Sequence, residues 1–241
     1  MPETGSLIAK SLSLRGALLG VLIGFFVGCA PADVPDRAMR SREPVILESG
    51  PLVEQVEAAL RRTRSGLPPG RPLSLSLLDL TTPEMETRLG IRLLKIRSEE
   101  WWCESFLIAA GEVHPLTPGF GGFGLHSALV TDLDRDGSPE LTCTTSWGSG
   151  IHRSEILVFR LAEGELLREE VPLAFRGDLF LRPEGRGGAR VEIGEWTELD
   201  RHWEPEAVLG VLAAEPDGAL LHPRVRLAEL TEEQRARLWE L

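Results

Sequence analysis

Tyrosine is absent from this chain, so no phenol can serve as an acid or base. Positive charge is scarce: 26 Lys and Arg stand against 37 Asp and Glu, a net charge of −11. That balance argues against a nucleic-acid partner, because phosphate contacts need clustered Lys and Arg. The glycine-rich stretch "GFGGFG" (119–124) lacks a following Gly-Lys-Ser/Thr, so it reads as a loop with packed phenylalanines rather than a phosphate cradle. The "GSG" of "SWGSGIHRS" (146–154) lacks the Gly-x-Ser-x-Gly context of a nucleophile elbow. His114, His126 and His152 show no ligand spacing and read as scattered loop histidines. No apolar run reaches the roughly 20 residues that a membrane-spanning helix needs.

What is present begins with an address. "GALLGVLIGFFVG" runs for 13 residues, from Gly16 to Gly28, behind Lys10 and Arg15. This length suits the apolar region of a secretory signal. It ends at Cys29, and "FVGC" resembles the lipobox of bacterial lipoproteins, in which the cysteine is lipidated and becomes the new N-terminus. Gly28 and Cys29 fit that pattern, while Phe26 stands where leucine is usual. The resemblance implies a signal peptide over residues 1–28 and a lipid on Cys29. The alternative is an uncleaved N-terminal anchor. Either places the remainder on the exported side of a bacterial cell envelope.

Removing residues 1–28 takes away Lys10, Arg15 and Glu3 and leaves 24 bases against 36 acids. Such a surface is soluble and repels anionic lipid, so the expected membrane contact is the lipid anchor itself. The expected partner is an unidentified envelope component.

Residues 29–48 mix Pro, Ala and charge without periodicity and read as a flexible tether. A β-rich α+β domain is expected over 49–241, with a mixed α/β part (49–110) and a mainly β part (111–241). Leu52, Val53, Val56, Ala59 and Leu60 share one helical face, with Ser49 as cap and Gly66 after the end. "PLSLSLL" (72–78) alternates like a strand. "TTPEMETRLG" reads as a short helix capped by Thr82 and ended by Gly90. Further strands are expected at "IRLLKI", "SFLIAA", "SALVTDL", "ELTCTTS", "EILVFRL", "LLREEVPL", "DLFLRP", "ARVEIGE", "AVLGVLAAE" and "ALLHPRV", in mainly antiparallel sheets. "LTEEQRARLWEL" predicts a C-terminal helix. Trp101 and Trp102 face opposite sides of a strand. Cys103 and Cys143 lie in strand-like stretches; they either pair, as the exported compartment permits, or remain two buried thiols.

The most chemically loaded stretch is "DLDRDGSPEL" (132–141). Curling it brings Asp132, Asp134 and Asp136 toward one centre, and Gly137 permits the reversal. The Ser138 carbonyl and Glu140 add oxygens, in the number and type that calcium takes. The alternative is a plain turn, since Asp and Gly favour turns without an ion. Four carboxylates within nine residues repel one another, which a dication relieves. A helix–loop–helix calcium motif does not fit, because its twelfth place is Cys143. The loop resembles that of the FG-GAP repeat of integrin-like β-propellers, where Asp-x-Asp-x-Asp-Gly-x-x-Asp joins two strands. Here Glu140 replaces the last aspartate, and Phe123 and Gly124 stand for the preceding Phe-Gly. The resemblance spans about 120–160, and no second such loop occurs. It implies one calcium-binding hairpin, not a full propeller.

The expected function is a lipid-anchored, calcium-stabilised envelope protein with a non-enzymatic binding or structural role. The alternative is an envelope hydrolase using Ser149, His152 and Ser154 of the 146–154 loop. The address is tested by replacing Cys29 with Ser in bacteria. Labelling with a fatty-acid analogue should be lost; unchanged labelling contradicts the lipoprotein reading.

Overall fold

The computed structural model describes residues 44–64, 67, 72–97, 104–117, 122–148, 153–171, 175–196, 203–217 and 220–233. All belong to one compact unit, Met39–Leu241. Cys29, Gly66, Trp101, Trp102, Cys103, Ser149, His152 and most of the expected C-terminal helix lie outside the described residues.

The chain is β-rich: the described residues form three antiparallel sheets, with no closed barrel or propeller among them. The first sheet is β1 (Val45–Leu47), β2 (Leu77–Asp79), β3 (Arg92–Ile96), β4 (Ser105–Ala109) and β5 (Glu112–Pro115), in that order. The second contains β6 (Gly124–Thr131), β7 (Glu140–Trp147), β8 (Arg153–Ala162), β9 (Glu165–Glu170) and β10 (Phe175–Arg176). Its main path runs β10-β8-β7-β6, and β9 also pairs with β8. The third runs β11 (Asp178–Glu184), β12 (Gly188–Trp196), β13 (Trp203–Asp217) and β14 (Leu220–Leu227).

Side-chain alternation explains how these sheets stack. Along β4, Phe106 and Ile108 face one way, into a core shared with helix α1 (Pro51–Thr63). Leu107 and Ala109 face the other way, toward the second sheet. Along β8, Leu157 and Phe159 join that same inner core, while Ile156 and Val158 join a third core lined by Leu179, Leu181, Val191 and Leu209 of the third sheet. Strands buried on both faces can read as continuous apolar runs, as in "SFLIA" and "ILVF". The second sheet is therefore sandwiched, and its β7 is buried at seven of eight positions.

Several expectations move. Residues 45–47, assigned to the tether, instead form β1, because Val45, Ile46 and Leu47 pair with Asp79, Leu78 and Leu77. The alternation at 72–78 yields a ladder only from Leu77, although Leu75 is already buried against α1. The boundary at 110–111 falls inside the β4–β5 hairpin, so β5 completes the first sheet. Ser49 does not cap α1: Gly50 occupies the cap without a side-chain bond, and its carbonyl accepts from the Glu54 N–H at 3.1 Å. Pro51 in the first turn sets that start. Thr82 does cap, its Oγ1 accepting from the Met85 N–H at 3.2 Å, ahead of a π-type turn at Met85–Leu89. Gly90 ends it at φ 64°.

Cys143 stands on β7 as a free thiol, fully buried in the core between the first and second sheets. Its candidate partner Cys103 lies outside the described residues, and among those described Cys143 is bridged to no other cysteine. Burial pushes its pKa up to about 12, leaving almost no thiolate to react. Iodoacetamide should leave Cys143 of native protein unmodified at pH 8 and modify it after unfolding without reductant. A requirement for reductant would reveal a bridge and contradict the free thiol.

Candidate metal centre

β6 and β7 are paired with Thr131 opposite Glu140, so the connection from Asp132 to Pro139 must turn back within eight residues. Two left-handed residues achieve this, Arg135 at φ 64° and Gly137 at φ 88°. Glycine is the residue that takes the second conformation without a Cβ penalty. The aspartates then organise the loop through their own backbone neighbours. Asp134 Oδ1 accepts from the Asp136 N–H at 3.1 Å, and Asp136 Oδ1 from the Ser138 N–H at 2.6 Å. Asp132 Oδ1 accepts from the Gly137 N–H at 3.3 Å.

The outcome is convergence. One carboxylate oxygen from each of Asp132, Asp134, Asp136 and Glu140 lies within 4.8 Å of the others. Among the described residues, this is the one cluster of three or more side chains placed to hold a metal ion. Burial is graded: Asp136 is exposed, Asp132 and Asp134 are half-buried, and Glu140 is 0% exposed. Glu140 Oε2 accepts from the Leu133 N–H at 3.0 Å. Its Oε1 is enclosed and has no hydrogen-bond partner. A buried carboxylate oxygen without a partner is costly, and a cation among the four oxygens would supply one.

The electrostatics follow the same gradient. Burial first, then the charges of Asp134, Asp132 and Asp136, push the Glu140 pKa up to about 7. Asp136 goes the other way, held below the usual carboxylate range chiefly by the Ser138 N–H. The donor set is oxygen only, which suits a hard cation over one that prefers sulfur or imidazole. Ser138 is fixed in the loop by its N–H bond to Asp136 Oδ1.

The other expected site residues fare differently. Ser154 is buried, and its hydroxyl donates to the Gly177 carbonyl. Ser149 and His152 lie outside the described residues. His114 Nε2 lies 3.9 Å from Glu112 Oε2 on β5. His126 sits where the β6–β7 register shifts and makes a contact that its sequence neighbours do not announce. Its Nε2 lies 2.6 Å from Ser146 Oγ and 3.4 Å from Asp178 Oδ1, in the next sheet. A Ser-His-Asp triad presents opposite ring nitrogens to serine and carboxylate; here one nitrogen meets both, and Ser146 is fully buried. The signal for this contact is absent from local sequence, since three separate strands supply it.

Comparison with protein-family models, curated proteins and solved structures finds no match.

A raised carboxyl pKa fixes a sign. Metal-free folded protein holds a proton on Glu140 that the unfolded chain has released once pH passes about 4.5. Folded stability from this group therefore falls as pH rises from there to about 7, then levels. Unfolding by denaturant in chelator should show wild type losing a few kcal/mol across that window relative to Glu140→Gln. Parallel pH profiles for the two proteins would contradict the buried, charge-crowded carboxyl.

Proposed function

We propose that the loop from Asp132 to Glu140 holds one calcium ion through Asp132, Asp134, Asp136 and Glu140, with the Ser138 carbonyl as a further ligand. The observation that carries this reading is the buried Glu140 carboxyl: one of its oxygens lies within 4.8 Å of an oxygen from each of three aspartates, and its Oε1 has no hydrogen-bond partner. The FG-GAP-like spacing over 132–140 supports it, as does the position of the loop between two antiparallel strands. The ion's role is structural: it neutralises crowded charge and pins the β6–β7 turn. We place this domain in the bacterial cell envelope, tethered by lipid on Cys29, with a non-enzymatic binding or structural role toward an envelope partner. The signal-like run before Cys29 and the surplus of acids support that placement. The hydrolase alternative draws no support from Ser154, whose hydroxyl is committed to a backbone carbonyl.

Calcium outside a cell reaches millimolar levels, so a Kd of about 10⁻⁴ M suffices. Tenfold excess over Kd stabilises the fold by about 1.4 kcal/mol, which raises Tm by about 3–5 °C in a domain of this size. Asp134→Ala should abolish that rise and leave the domain folded, because Asp134 lies outside the three cores. Magnesium should substitute poorly, since it demands a tighter octahedron. Identical melting in calcium and in chelator, with no heat on titration, would make the stretch a turn and nothing more.

A further inference from the structure

The loop is not held by β6 and β7 alone. The turn between β11 and β12, at Gly185–Gly187, reaches across from the third sheet and touches its first aspartate. The Asp132 N–H donates to the Gly187 carbonyl at 2.8 Å. Gly187 has φ +76°, and a Cβ built on it would stand 2.8 Å from Asp132 Cβ and 2.9 Å from the Asp132 carbonyl oxygen. These are backbone-proximal atoms with no freedom to swing aside. Any side chain at 187 must displace Asp132, and the hydrogen bond to Gly187 ties the two backbones together. Gly185, in the same turn at φ +59°, offers the contrast: a Cβ there meets nothing within 4 Å.

We infer that Gly187 is a positioning residue for the ion, so that metal binding and docking of the β11–β12 turn onto the β6–β7 loop are one coupled event. The inference rests on the calcium reading above and extends it from the loop to the third sheet. Its physical basis is reciprocity: if docking places Asp132 for the ion, the ion must favour docking by the same factor. The β6–β11 contact that the coupling acts through is already built from the core. Leu129 and Leu133 pack with Leu179 and Leu181, and the Leu181 N–H donates to Ser127 Oγ at 2.9 Å.

The test uses the full-length chain stripped with chelator and titrated with calcium alone. Gly187→Ala should weaken calcium binding about tenfold, within the range of ordinary site-to-site coupling. Gly185→Ala imposes a comparable left-handed strain without the contact and should leave the Kd within about twofold of wild type. Hydrogen exchange of wild type provides a readout should Gly187→Ala fail to fold. Calcium should slow exchange at Asp132 and through the 185–188 turn, and Asp134→Ala should abolish that protection. Calcium binding by wild type with unchanged Kd in Gly187→Ala, or with protection confined to 132–140, overturns the coupling and leaves the calcium reading standing. Absence of binding by wild type overturns both.

Discussion

The Glu140 carboxyl is the constraint around which this part of the molecule is arranged. It is completely buried at the first position of β7, opposite Thr131. One oxygen is satisfied by a backbone amide and the other is not. Three aspartates each bring a carboxylate oxygen within 4.8 Å of one of its oxygens. A carboxylate in that position is unfavourable by itself, because burial and like charge both oppose ionisation. Protonation relieves the strain at low pH; a bound dication relieves it at any pH where the ligands are ionised. An exposed acidic turn would need neither.

The stacked sheets explain why Glu140 cannot escape to solvent. β7 runs through the middle of the second sheet, between β6 and β8, with one neighbouring sheet on each face. Its face toward the third sheet is unusually polar, with Thr142 bonded to Thr131 at 2.8 Å and Thr144 to Ser127 at 2.7 Å. These hydroxyl pairs satisfy one another across β6 and β7, so the strand ends are held in register. The acidic loop inherits its geometry from that register, and the third sheet adds the contact at Gly187.

Legibility in the sequence follows the range of the interactions concerned. The acidic cluster was readable because its carboxylates alternate within nine residues, and local spacing dictates where such side chains point. Thr82 as a cap and Gly90 as a stop were readable for the same reason. Strand existence followed from alternation, and β6, β7, β8, β11, β12, β13 and β14 fall at the expected stretches. β1 was missed because three apolar residues beside a Pro-rich segment carry no period. The order of stacking was invisible, since doubly buried strands show continuous apolar runs that do not say what covers each face. Likewise, nothing near His126 announces Ser146 and Asp178, and nothing near Asp132 announces Gly187. Those contacts join residues distant in the chain.

The central claim is that the four carboxylates hold an ion and that Glu140 Oε1 is one of its ligands. An anomalous difference map from crystals grown in calcium tests it most directly. The account predicts a single peak about 2.3–2.6 Å from Glu140 Oε1 and from oxygens of Asp132, Asp134 and Asp136. A map with no peak there, and with Oε1 hydrogen-bonded to water or to a protonated neighbour, would contradict it.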